Sequence, residues 1–237
     1  PCWTKLELSN ESLGPGATRA MCMALLGSGG AASGLDPSDL EHILLVPPEG
    51  TCCYRQLEAL VFTENRCLDA GVIAISALLL PDAVKRGLSL SELTIRGDSF
   101  GPIAAEKLAV SLTWPSPLLK LSLEYNQAFD NQSVRCLCSG LSINSSLTSL
   151  SLAYGGFGAD GARALGKLLA RSEFTALQHI SLRGNYLGPE GLVALAPGIA
   201  GSSTLSSLDL TSTGIGRPIL LRSAAHIQRA KNAIAWS

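Results

Sequence analysis

Leu177-Gln178-His179-Ile180-Ser181-Leu182-Arg183-Gly184-Asn185-Tyr186-Leu187-Gly188-Pro189-Glu190-Gly191 is the stretch that decides the fold. Its first half puts apolar residues at positions one, four and six with polar or small residues between them, an alternation that predicts a short strand with one buried face. It then turns through Gly188-Pro189, where Gly allows tight backbone and Pro suits the first turn of a helix. From Leu192 to Ala200 the apolar residues stand three and four apart, the stripe of a packed helix. The same frame returns seven times, beginning at Trp3, Leu57, Leu90, Leu118, Leu147, Leu177 and Leu205, and the last five intervals are 33, 28, 29, 30 and 28 residues. Self-similarity at this period means a solenoid, in which each unit buries its apolar face against its neighbours.

The frame resembles the leucine-rich repeat family, specifically its ribonuclease-inhibitor-like class, over nearly the whole chain. The resemblance implies an α/β leucine-rich repeat solenoid (horseshoe) of about seven repeats, with parallel concave strands, convex helices and residues 1–237 forming one domain. In that family an asparagine at position nine hydrogen-bonds the backbone at the turn leaving the strand. Asn65, Asn126 and Asn185 fill the place here, whereas Glu11, Asp98, Gly155 and Thr213 replace it, so the asparagine ladder is expected to be incomplete.

Composition fits this frame. Apolar residues make up 46% of 237 residues while aromatics are few, which suits a long core of Leu, Ala and Val. A net charge of -1 gives no global drive toward nucleic acid or an anionic membrane. The longest apolar run, Val72 to Leu80, is far short of the roughly 20 residues of a membrane span. Seven cysteines are an odd number without framework spacing, which predicts reduced thiols and a cytoplasmic setting. The sequons at Asn10, Asn131 and Asn144 point the other way, but such triplets arise by chance in Ser-rich sequence.

Two regions depart from the period. Between the first two copies lie 54 residues, read as an insertion over 27–56: a Gly/Ser/Ala loop, a short helix opened by Asp36-Pro37, and a return through Pro47-Pro48. After the last strand, residues 217–237 read as a C-terminal capping helix, with Arg222, Arg229 and Lys231 on its outer side. Contact with an anionic membrane or a partner protein is the alternative use of such a helix. The chain begins Pro1-Cys2-Trp3 without Met and already inside a strand pattern, so it reads as part of something longer.

No reaction chemistry is signalled. Gly27, Gly29 and Ala32 match a dinucleotide fingerprint in spacing, but the run follows a helix instead of opening one after a strand. Cys52-Cys53 and Cys136/Cys138 lack zinc-site spacing and read as packed or incidental thiols. His42, His179 and His226 are too scattered for a metal site or a triad. An HExxH helix is missing from the sequence, and its GxSxG match, Gly97-Asp98-Ser99-Phe100-Gly101, falls inside the repeat frame, starting at position eight of the copy that begins at Leu90. The chain is therefore read as non-enzymatic, with no cofactor, no metal and no nucleic-acid partner.

What the solenoid offers is a surface. Residues between the leucines stand in rows on the strand face, and Tyr125, Tyr154 and Tyr186 are expected near Arg96, Arg183 and Glu124, with His179 and Asp209 on the same face. Tyr and Arg are the types that most often dominate protein interfaces. The expected function is a protein-protein scaffold or adaptor, a subunit of a hetero-oligomeric assembly. The connection Leu78 to Leu88 resembles that of small leucine-rich proteins of cilia, which implies an axonemal assembly. The family also includes GTPase activators, with which Asn65-Arg66 invites comparison, and the sensing repeats of larger receptors. In the strand register, Leu150→Asp and Leu182→Asp should unfold neighbouring repeats while Ser151→Asp is tolerated.

Overall fold

The computed structural model describes residues 3–26, 56–85, 87–171, 175–215 and 234–235. Each alternating segment is a strand: β1 (Lys5–Ser9), β2 (Ala59–Thr63), β3 (Glu92–Arg96), β4 (Lys120–Ser122), β5 (Ser149–Ser151), β6 (His179–Ser181) and β7 (Ser207–Asp209). All lie parallel in one sheet in chain order. The register follows the repeat, since the position-four residues Leu6, Leu60, Leu93, Leu121, Leu150, Ile180 and Leu208 pair in succession across the sheet. A one-residue slip would turn that leucine row outward, so burial of the row holds the register.

Between the strands run α1 (Gly14–Leu25), α2 (Leu68–Ser76), α4 (Pro102–Leu112), α5 (Asn131–Leu141), α6 (Ala159–Leu169) and α7 (Gly188–Gly201). The 33-residue interval has its own cause. A 3₁₀ turn (Ala77–Leu79) and a short helix α3 (Pro81–Lys85) occupy the connection between α2 and β3, and Leu80 (ψ 156°) separates them. Proline at the helix start removes a donor that would lack a partner there anyway.

Helix starts are secured across repeats. Asp69 Oδ1, in α2, accepts from Gly101 N (2.9 Å) and Ala104 N (3.1 Å) at the start of α4. Asn131 Oδ1, in α5, accepts from Gly158 N (2.9 Å) and Gly161 N (2.8 Å) at the start of α6. The first N–H groups of a helix have no partner within it, and here the preceding repeat supplies one.

The core departs from the expected Leu, Ala and Val filling. Phe62, Phe100, Phe129 and Phe157 are fully buried. Cys67, Phe100, Phe129, Phe157, Leu187 and Ile215 succeed one another at near-repeat intervals behind the strand-leaving turns, and all are buried. Phe100 and Phe129 meet edge to face at 5.5 Å between ring centres. Few aromatics in the composition thus does not mean few in the core, because each repeat needs only one large side chain at this place.

The insertion expected over 27–56 lies outside the described residues except for Gln56, as do 216–233 of the C-terminal region. Ile234–Ala235 form a strand, β8, which pairs parallel with β7. A capping helix running through to residue 237 is therefore corrected: at those two residues the chain extends the sheet, because the edge of β7 offers backbone partners that a helix end would leave unused.

Candidate functional site

The asparagine ladder is built as the residue types allow. Asn126 Nδ2 donates to the carbonyls of Ile95 (2.8 Å), Leu123 (3.1 Å) and Glu124 (3.2 Å), while its Oδ1 accepts from Asp98 N (2.8 Å) and Ser99 N (3.1 Å). Asn65 does the same between Leu8 O (2.8 Å), Thr63 O (3.2 Å) and Glu11 N (3.0 Å). Its amide is wholly used in the scaffold, so the Asn65-Arg66 pair contributes no free amide for a catalytic role. Asn185 donates to Leu152 O and Leu182 O at 2.8 Å each, but among the described residues its Oδ1, beside Gly155, has no hydrogen-bond partner.

Asp98 is the exception within the ladder. Its Oδ1 accepts from Asn65 N (2.8 Å) and Cys67 N (3.2 Å), but Oδ2 is buried without a hydrogen-bond partner among the described residues. Burial pushes its carboxyl above the ordinary carboxylate range, and the backbone N–H groups of Cys67, Asn65 and Arg66 only partly oppose this.

The turn above the ladder explains the strand face. Position eight is left-handed in every copy: Asn10 (φ 59°), Glu64 (56°), Gly97 (68°), Tyr125 (58°), Tyr154 (55°), Gly184 (71°) and Ser212 (57°). Glycine takes this conformation without strain, whereas a bulky side chain does so at a cost of about 1–2 kcal/mol. Two tyrosines nevertheless occupy it side by side, flanked in the row by Gly97 and Gly184. Glycine at 184 is required, because a Cβ there would lie 2.3 Å from Tyr154 Cδ1.

The two rings stack, 4.5 Å between centres and 19° between planes. The Arg96 guanidinium covers the Tyr125 ring at 4.3 Å. Arg183 stands 6.0 Å from the Tyr154 ring centre and donates from Nε to Tyr154 Oη at 3.0 Å. That hydrogen bond, with Asp209 nearby, holds the Arg183 pKa above its ordinary value, so it is charged throughout the physiological range. Both arginines are exposed and Tyr125 is 42% exposed.

Of the residues singled out from sequence, Arg96, Tyr125, Tyr154 and Arg183 therefore form one continuous stack. Glu124 stands beside it and accepts from Ser151 Oγ at 2.7 Å. Asp209 is held by Thr211 N (2.9 Å), Thr211 Oγ1 (2.8 Å) and Ser181 Oγ (3.3 Å). His179 opens β6 at the other end of the face, exposed, its Nδ1 3.4 Å from Ser206 Oγ. Tyr186 sits on the loop after β6, 86% exposed, and among the described residues makes no ring contact with the stack. Ser151 and Gly184 belong to the site and were not singled out; the adjacency of Tyr154 and Gly184 in the position-eight row was the available signal.

Among the described residues, Cys22, Cys67 and Cys138 are packing groups. Burial pushes Cys67 and Cys138 up to about 12, and Cys22 up as well, far from the thiolate a nucleophile or metal ligand needs. Among the described residues no group of three metal-ligating side chains occurs, and no helix is long and apolar enough to cross a membrane. Asn144, in a sequon, is buried and spends its amide on Leu112 O, Ser146 N and Leu147 N, leaving no room for a glycan.

A family model described as leucine-rich repeat matches residues 144–166 and 175–196. No curated protein matches the chain. Among solved structures, the chain is similar to leiomodin-1 actin-binding site 2, at 13% identity and a TM-score of 0.52, covering 68% of this chain and 88% of that one. At this identity the likeness is one of fold. Leucine-rich repeats are in general a binding fold, and the sheet, the register and the ladder described above, with the matched repeats, make this chain a leucine-rich repeat solenoid.

Proposed function

We propose that the protein is a non-catalytic interaction scaffold, of the ribonuclease-inhibitor-like class, that docks another protein on its strand face as one subunit of a hetero-oligomeric assembly. The Arg96–Tyr125–Tyr154–Arg183 stack carries this reading. The turn at position eight is satisfied at lower cost by Gly or Asn, so two tyrosines there are unexplained by folding alone. Stacking offsets part of their strain, with about 0.5–1.5 kcal/mol ascribed to such a pair. The same contacts hold both rings and both guanidinium groups in place before a partner arrives, which lowers the ordering cost of binding.

The rest of the strand face frames this patch. Lys5–Glu7 at 2.8 Å and Lys120–Glu92 at 3.8 Å are exposed ion pairs of small energetic value, suited to setting orientation at a rim. The resemblance of the Leu78 to Leu88 connection to small ciliary leucine-rich proteins supports the axoneme as the assembly, within the cytoplasm.

The test is crosslinking mass spectrometry on complexes recovered with the tagged full-length protein, repeated with Tyr125, Tyr154 and Arg183 changed to Ala. Loss of a reproducible partner from the variant is the expected outcome. Retention of the same partners, crosslinked away from β3 to β6, overturns the strand-face reading, and partners wholly outside cilia overturn the axonemal one.

A further inference from the structure

We propose that the groove between α5 and α6, on the face opposite the strands, is a second docking site that takes an extended acidic segment of a partner protein. The groove has a volume of about 710 Å³. Four cations line it, Arg135, Arg163, Lys167 and Arg171, against one carboxylate, Asp160, although the chain as a whole carries a net charge of -1. Arg163 pairs with Asp160, and Arg135 is held by Gln132 Oε1 from Nε (3.0 Å) and Nη2 (2.7 Å). Lys167 and Arg171 are exposed and have no ion-pair partner among the described residues. The groove thus concentrates unneutralised positive charge in a chain that has no excess of it.

Spacing and shape select the occupant. Arg163, Lys167 and Arg171 follow one another four residues apart along one side of α6 and its end, about 6 Å of rise per step. In an extended peptide, side chains on one face recur about every 7 Å, so carboxylates at alternate positions can meet successive cations. The axes of packed helices lie about 8–10 Å apart, so the crease between them is too narrow to seat a nucleic-acid duplex, whereas a single extended chain can lie along its surface. The lining has no aromatic ring, and binders of single strands rely on aromatic platforms for the bases. A flat headgroup layer would touch only the rim, whereas a peptide can lie along the floor formed by Ala164 and Leu168.

The site is independent of the strand face, so the two are tested apart. A fluorescein-labelled peptide of six Glu-Ala repeats is titrated into the full chain at low salt and followed by anisotropy. Saturable binding is expected, weakening as salt is raised, and at least tenfold weaker for the double variant Lys167→Glu, Arg171→Glu. The strand-face variant Arg96→Ala, Arg183→Ala should bind the peptide as the parent does. Both pairs are exposed, and unchanged thermal melts would exclude unfolding as the cause. No saturable binding by the parent, or equal binding by the Lys167/Arg171 variant, overturns the proposal. Tighter binding of a single-stranded oligonucleotide or of phosphatidylserine vesicles through the same two residues overturns the assignment to an acidic peptide.

Discussion

At the scale of single residues, one side-chain atom decides whether a ladder rung is sound. Asn126 both donates and accepts, so its two bonding ends match a carbonyl below and N–H groups above. Asp98 stands at the same repeat position and can only accept while ionised, which leaves Oδ2 unpartnered. Folding therefore favours its protonated form, which can donate. A group whose folded pKa is raised adds stability that is complete below its unfolded value of about 3.9 and is lost as pH rises through the folded value. Asp98→Asn restores the donor and removes the titration. It should raise stability by on the order of 1 kcal/mol at neutral pH, and the gain should shrink toward pH 4. Thermal melts of both proteins across that range check it; a gain that grows as pH falls would contradict the account. The replacement of asparagine by Asp98 at position nine was legible in the sequence, but its consequence for the buried carboxylate was not. Whether Asp is tolerated depends on which backbone groups the neighbouring repeat brings to it.

At the scale of elements, the helices approach through small residues. A Cβ on Gly198 of α7 would lie 2.2 Å from Gly166 O and 2.9 Å from Gly166 Cα of α6. Gly140 of α5 stands likewise 2.2 Å from Ala109 O of α4 once given a Cβ. Backbone cannot yield to a methyl group as a flexible side chain can, so Gly198→Ala should cost about 1–3 kcal/mol despite alanine's better helix propensity. Val193→Ala, on the same helix but 62% exposed, should change stability by less than about 0.5 kcal/mol. Denaturant midpoints for the two variants decide the point, and equal values would mean that α6 and α7 do not meet this closely. The helices themselves were readable from three- and four-residue spacing. Their contact through glycine was not, because a small residue in a helix marks close packing only once the partner helix is known.

At the scale of the molecule, the repeats form one continuous core. Leu150 and Leu182 are buried in adjacent repeats, and Leu150 pairs in register with Leu121 and Ile180. Leu150→Asp should therefore lose on the order of 4 kcal/mol or more and unfold its neighbours with it. Ser151→Asp is not the neutral control that alternation alone suggests, since Ser151 donates to Glu124 and a carboxylate there would repel it. Ser149→Asp, paired across the sheet with Lys120 and His179, should leave the melting temperature nearly unchanged. Hydrogen exchange on Leu150→Asp should show lost protection in β4 to β6 together; loss confined to β5 would refute a shared core. The sequence by itself determined the solenoid, its period, the strand register and the face on which Arg96, Tyr125, Tyr154 and Arg183 lie, because hydrophobic periodicity is a local property repeated seven times. Only the tertiary structure decided the stack of those four side chains, the exclusion of Tyr186 from it, the strained turn beneath it and the basic groove between α5 and α6. Those features arise where one repeat meets the next, between residues some 30 positions apart in the chain, and neither rotamers nor the spacing of packed helices can be read along a single repeat.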